Sequence, residues 1–108
     1  METRKRILIV DDHPLFREGL KTIIGRDARF EVIGEAGSAG EGLELARALR
    51  PDIMLVDISM PDKSGLCVIR ELRPHLSQTR FLVISMHSKA DYIVEAFQAG
   101  AMGYMIKE

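Results

Sequence analysis

Four consecutive apolar residues, Ile53, Met54, Leu55 and Val56, lead without a polar interruption into Asp57, and this run sets the terms for the rest of the chain. A strand that is apolar on both of its alternating sides must be buried on both faces, as strands inside parallel sheets are. Pro61 and Asp62, followed by Ser64 and Gly65, stop the strand and force a loop. The Asp57 carboxylate is therefore expected at the carboxyl edge of a sheet, where open α/β sheets bind their ligands.

The remaining segments follow the same logic. Arg6–Val10 reads as a first strand, broken by Asp11, Asp12, His13 and Pro14; proline at a first helical position loses no hydrogen bond. Phe16, Leu20, Ile23 and Ile24 recur at helical spacing up to Gly25. Phe30–Ala36 predicts a second strand, and Ala39, Leu43, Ala46 and Leu49 a second helix ended by Pro51. After the Asp57 loop, Ser64 suits the N-cap of a third helix carrying Leu66, Ile69, Leu72 and, past Pro74, Leu76. Cys67, in the same segment, is expected as a small packed residue. Phe81–Ile84 predicts a fourth buried strand ending at Ser85, and Ser88 would cap a helix that aligns Ile93, Ala96 and Phe97 and ends at Gly100. Gly103–Ile106 gives a fifth strand, with Lys107 at its end. Strands alternating with helices imply a doubly wound parallel sheet with right-handed crossovers and helices on both faces.

At 108 residues the chain is sized for one domain. Fifteen Lys and Arg against sixteen Asp and Glu give a net charge of −1, which argues against a broad basic face for nucleic acid or membrane binding. Neither a signal peptide nor a membrane-spanning stretch is visible, and the lone cysteine excludes an internal disulfide, so a reducing cytoplasmic setting is expected.

Parallel strands bring their ends to one rim even when they are distant in sequence. Asp11 and Asp12 come from strand one, Asp57 from strand three, Ser85 from strand four and Lys107 from strand five. Each alone has a plain explanation: the acidic pair as a solvated, helix-capping turn, Ser85 as a strand-end hydroxyl, Lys107 as a surface lysine. As a set they predict chemistry. Three clustered carboxylates are tolerated best around a divalent cation, and hard oxygen ligands favour Mg²⁺. Mg²⁺ and the Lys107 ammonium would then stabilise a phosphoryl group under attack by Asp57, with the Ser85 hydroxyl donating to a phosphoryl oxygen.

These residues carry a resemblance that covers essentially the whole chain. The Asp11–Asp12 pair, Asp57 with Met60, Pro61 and Gly65 behind it, Ser85, and the run Gly100, Ala101, Gly103, Tyr104 and Lys107 resemble a response-regulator receiver domain. The spacings of 19 residues from Ser85 to Tyr104 and 22 to Lys107 are similar to that family's pattern. Asp12-His13-Pro14, Arg17–Leu20 and Gly103–Lys107 resemble its NarL/LuxR-type branch.

The resemblance implies a flavodoxin-like (CheY-like) sheet in the order 2-1-3-4-5. It implies that Asp57 accepts a phosphoryl group from a phosphohistidine on a sensor histidine kinase. Mg²⁺ would be held by Asp12, Asp57 and the backbone carbonyl of Ser59, with Asp11 assisting. Ser85 and Tyr104 would act as the switch pair, reshaping the surface of the fourth helix and fifth strand. It further implies that a fifth helix and a helix-turn-helix DNA-binding domain follow residue 108, so that DNA is reached only through that C-terminal domain. Without the fifth helix, apolar sheet surface beside the first helix would be open, favouring a homodimer or a segment-exchanged oligomer. Where many receivers have proline after the lysine this chain has Glu108, so a cis bond there would cost about 2.5–4 kcal/mol.

Three other functions compete. A stand-alone receiver would act through protein–protein contacts alone. An aspartyl-phosphate phosphatase would want a general acid two residues after Asp57, where Ser59 stands. A flavodoxin-like FMN module would want a Ser/Thr/Gly-rich phosphate loop after strand one, where the two aspartates and Pro14 stand. His13, His75 and His87 fall in separate segments and are expected to form no ligand set; His87, two residues past Ser85, reads as an exposed loop histidine that could also tune water access to the phosphoryl group.

Overall fold

The apolar runs pair side by side because each strand's backbone groups must be satisfied once water is excluded. In a computed structural model describing residues 3–107, they are β1 (Lys5–Val10), β2 (Phe30–Ala36), β3 (Ile53–Asp57), β4 (Arg80–Ser85) and β5 (Gly103–Ile106). All neighbours are parallel, in the order β2-β1-β3-β4-β5. The crossovers are α1 (Pro14–Gly25), α2 (Ala39–Leu49), α3 (Gly65–Leu72) and α4 (Ala90–Ala99). The Lys107–Glu108 peptide bond lies outside the described residues. No helix among those residues is long and apolar enough to cross a membrane.

The two faces of the sheet are covered unequally. On one, Leu8, Val10, Met54, Val56, Phe81 and Val83 are buried against α2, α3 and α4. On the other, Ile7, Ile9, Leu55 and Ile84 pack beneath Phe16, Leu20 and Ile24 of α1. Among the described residues α1 is the only helix on that side, and the apolar surface expected beside it is present: Met105, opposite Ile84 in register, is 52% exposed.

Several local expectations change. The third helix ends at Leu72, and Leu76 reaches the core from a turn whose N–H donates to the Leu72 carbonyl. Cys67 is exposed, because the buried stripe runs through its neighbours Leu66, Val68 and Ile69 and turns position 67 outward. Lys89, not Ser88, is the α4 N-cap, its carbonyl accepting from the Tyr92 and Ile93 amides; Ser88 lies one residue too early. Phe97 is 48% exposed, since α4 approaches the sheet through Ala96 and Ala99 and the next position rotates away by about 100°. Ile23 is 64% exposed for the same geometric reason on α1. The even charge balance also conceals polarity: exposed Arg4, Lys5, Arg26, Arg29, Arg50 and Arg80 cluster around the amino ends of the strands.

Two features fix the loop that carries Asp57. The Asp62 carboxylate accepts from the Ala39 and Gly40 amides at 2.9 and 2.8 Å, capping the start of α2 from across the cleft. Those amides hold its carboxyl below the usual range, so the anchor is intact at neutral pH and is lost as pH falls through the carboxylate range. Gly65 begins α3 so close to β3 that a Cβ there would lie 2.0 Å from the Asp57 carbonyl oxygen and 2.7 Å from Val56 Cγ1. Backbone cannot yield as a flexible side chain can, so Gly65→Ala is expected to destabilise the fold by about 3 kcal/mol, read from urea unfolding midpoints. An unchanged midpoint would mean that α3 can drift away from β3 without penalty.

Candidate functional site

Four strand ends deliver the functional groups. Asp57 closes β3 and is 2% exposed; Asp11, one residue past β1, is 1% exposed. Lys107, following β5, is also buried, with Nζ 2.7 Å from Asp11 Oδ2 and 3.1 Å from Asp57 Oδ2. An ammonium shared by two buried carboxylates replaces the water each charge gave up on folding. Asp12 is half-buried at the same rim, with Oδ1 3.2 Å from His13 Nδ1. Asp11, Asp12 and Asp57 thus converge as predicted, with Lys107 among them.

The electrostatics remain under tension. Burial raises the Asp57 carboxyl above its ordinary value; Lys107 pulls it down, while the Asp11 charge adds to the rise. The Ser59 amide contributes a weak donor to Asp57 Oδ1 at 3.3 Å. Asp11 Oδ2 has the Lys107 charge beside it but no aligned hydrogen bond, and the buried Asp12 Oδ1 likewise has none. Unsatisfied carboxylate oxygens facing one small space are a donor set suited to a cation, so the cluster could bind a metal.

Ser85, fully buried at the end of β4, lies on the strand next to Asp57, with Oγ accepting from the His87 amide at 3.0 Å. Tyr104 on β5 donates its hydroxyl to the His87 carbonyl at 2.7 Å while its ring packs on the core. Ser59 is exposed, and its hydroxyl meets His87 Nε2 at 3.0 Å. The His87 ring also stacks on Tyr92 of α4 at 4.1 Å between centroids. His87 is therefore a half-buried junction between β3, β4, β5 and α4, in place of the exposed loop histidine expected from its sequence position.

His13 joins the site as well. Its Nδ1 is 3.0 Å from Asp11 Oδ1 and 3.1 Å from Lys107 Nζ. Of the histidines, His13 stands among the carboxylates. The available signal was positional: the residue before Pro14 is the α1 N-cap, and a helix that begins at the carboxyl edge places its N-cap on that rim.

This order of strands, with paired acids after β1, one acid ending β3 and a buried lysine after β5, agrees with the comparison to family models: the response regulator receiver domain matches residues 7–108. The chain belongs to that family. Its receiver is of the NarL/LuxR type: it is 38% identical over 102 residues to the nitrate/nitrite response regulator protein NarL of Escherichia coli, covering 94% of this chain and 47% of NarL. It is 41% identical over 103 residues to the transcriptional regulatory protein MctR of Rhizobium johnstonii, covering 95% of this chain and 48% of MctR. The chain thus spans about half the length of the curated relatives it matches. Among solved structures, a LuxR-family two-component response regulator from Aurantimonas sp. superposes with a TM-score of 0.88 at 38% identity, over 94% of this chain and 73% of that one. The response regulator domain of Thermotoga maritima CheB gives 0.90 at 31% identity, over 97% and 79%. Receivers of this family are phosphoacceptor switches of two-component systems and not conventional enzymes; they interact with histidine kinases and output domains.

The raised Asp57 carboxyl has a thermal consequence. A group whose acid is weakened by folding supports the fold while protonated, and that support is lost as pH rises through its folded value. In buffer free of divalent cations at pH 7, Asp57→Asn is expected to unfold at a higher temperature than the parent, because Lys107 keeps Asp11 as its partner. The gap should close as pH is lowered. A lower unfolding temperature for the variant at pH 7 would mean that the Asp57–Lys107 pair outweighs the burial of charge.

Proposed function

We propose that this receiver takes a phosphoryl group onto Asp57 from the phosphohistidine of a sensor histidine kinase and relays the change to a DNA-binding output in a transcription regulator. The observation that carries the reading is the buried carboxylate of Asp57 lying 3.1 Å from the Lys107 ammonium among two further aspartates. Asp12, Asp57 and the Ser59 carbonyl, with Asp11 assisting, are the groups assigned to hold Mg²⁺. Bound there, Mg²⁺ would supply positive charge to the equatorial oxygens of the transferring phosphoryl group.

The side chains divide the work. Asp57 attacks the phosphorus with one carboxylate oxygen as the P–N bond of the phosphohistidine breaks and its electron pair leaves on the kinase's imidazole nitrogen; the Lys107 ammonium offsets charge on the phosphoryl oxygens; the Ser85 hydroxyl, which accepts from the His87 amide, turns to donate to one of them. The chain assists its own transfer, since it supplies the charge stabilisation and a donor merely brings the phosphoryl group; in dephosphorylation water attacks the phosphorus as the Asp57 O–P bond breaks, which returns the carboxylate and releases inorganic phosphate. Aspartyl phosphate adds roughly 1.5–2 negative charges and three acceptor oxygens, enough to bias a two-state element. That element is the Ser85–His87–Tyr104 chain of hydrogen bonds, whose rearrangement alters the α4–β5 surface.

The relatives' greater length and their names as transcriptional regulators support a C-terminal DNA-binding domain as the output, in the cytoplasm where kinase, phosphate donor and DNA meet. The half-open sheet face at Met105 and Leu82 supports self-association of this chain as a homodimer or segment-exchanged oligomer. Light scattering over a concentration series is expected to show mass above the monomer at high concentration; a monomer throughout argues against it.

Incubation with acetyl phosphate and Mg²⁺, followed by intact mass measurement, is expected to add one phosphoryl group to the parent and none to Asp57→Ala. Lys107→Ala should slow the addition about a hundredfold, the scale for removing one stabilising donor. An addition that persists in Asp57→Ala would move the acceptor elsewhere.

A further inference from the structure

Lys107 Nζ lies 2.7 Å from Asp11 Oδ2, 3.1 Å from Asp57 Oδ2 and 3.1 Å from His13 Nδ1. A further neighbour takes no hydrogen bond: the ring of Phe16, in the first turn of α1, has Nζ over its face at 4.6 Å from the centroid. The negative face of an aromatic ring attracts a cation at that distance, most strongly where water is excluded. Water is excluded here, since the Lys107 side chain is 5% exposed and Phe16 is half-buried against the apolar cluster of Ile7, Ile9, Leu55 and Ile84. A second such pair, Arg29 over Phe30 at 5.4 Å, is the surface case, with the Arg29 side chain 76% exposed and already bonded to Asp27.

We propose that Phe16 is a positioning residue for phosphoryl transfer: the face of its ring holds the Lys107 ammonium beside the Asp57 carboxylate through a cation–π contact. This role rests on the phosphoacceptor reading of Asp57. Lysine carries its charge on a long, flexible stem, and Asp11 draws the ammonium from closer than Asp57 does. A third carboxylate or a water in the place of the ring would also hold the charge, but each would occupy an N–H. The ring attracts the charge and leaves all three N–H donors to other partners. Once Asp57 carries phosphate, a donor passes to a phosphoryl oxygen while the ammonium stays anchored on Phe16. A position in the apolar stripe of α1 thereby serves the site as well as the core.

Variants separate the ring's charge from its bulk. Phe16→Leu keeps an apolar side chain, Phe16→Tyr keeps the ring face, and site-specific replacement of Phe16 by trifluoro- and pentafluorophenylalanine keeps the shape while fluorine withdraws charge from the face. With acetyl phosphate at saturating Mg²⁺, labelling of Asp57 is expected to slow about tenfold in Phe16→Leu, to slow stepwise with fluorination, and to stay within about twofold of the parent in Phe16→Tyr. The Mg²⁺ concentration for half the maximal rate should be the same in all of them, since the ammonium and not the metal has lost its support. In a Lys107→Ala background Phe16→Leu should slow labelling no further. Without any phosphate, proton NMR of the chain carrying isotope-labelled lysine should show the Lys107 Hε protons upfield of the other lysines, shielded by the ring, and rejoining them in Phe16→Leu. Rates indifferent to fluorination, or equal slowing by Phe16→Leu with and without Lys107, would overturn the proposal and leave Phe16 as core packing; so would Lys107 Hε signals at the ordinary lysine position. Failure of acetyl phosphate to label Asp57 in the parent would overturn the phosphoacceptor reading and with it the role in transfer, while the shielded Lys107 signal would still show the contact.

Discussion

The ammonium of Lys107, buried between the carboxylates of Asp11 and Asp57, is the contact on which the rest of the molecule depends. Two negative charges withdrawn from water this close together would not both remain ionised without it. One cation from the last strand therefore makes it feasible for the first and third strands to end in acids at one point. The raised Asp57 carboxyl shows that the compensation is incomplete. Further positive charge beside Asp57 would therefore favour its ionised form.

The scaffold serves this contact from a distance. Parallel pairing puts Asp57 beside Ile84 and carries Ser85 one residue beyond it. Asp62 ties the β3–α3 loop to the start of α2, and Gly65 lets α3 rise directly from the Asp57 carbonyl. On the other side, His87 gathers Ser59, Ser85, Tyr92 and Tyr104 into one connected group. Ser85 is thus bonded to a residue that touches both α4 and β5.

Much of this was legible in the chain. The uninterrupted apolar runs at Leu8, Leu55 and Val83 announced buried parallel strands, and Pro14 and Ser64 marked helix starts that the structure keeps. The convergence of Asp11, Asp12, Asp57 and Lys107 followed from strand polarity alone. Phe97, Ile23 and Cys67 were misplaced because a helical stripe read from spacing has no fixed edge; which positions at its margin are buried depends on how closely the helix approaches the sheet.

By itself the sequence determined the periodicities and the chain positions of the acids and the lysine, hence the alternation of strands and helices and the rim on which charge collects. These depend on local sterics and on the direction of the chain. Only the tertiary structure decided that His13 turns its Nδ1 into the acidic pocket, that His87 becomes a junction, and that six exposed cations gather at the opposite edge of a chain whose net charge is −1. Those outcomes rest on distances between residues far apart in sequence, which no local pattern encodes.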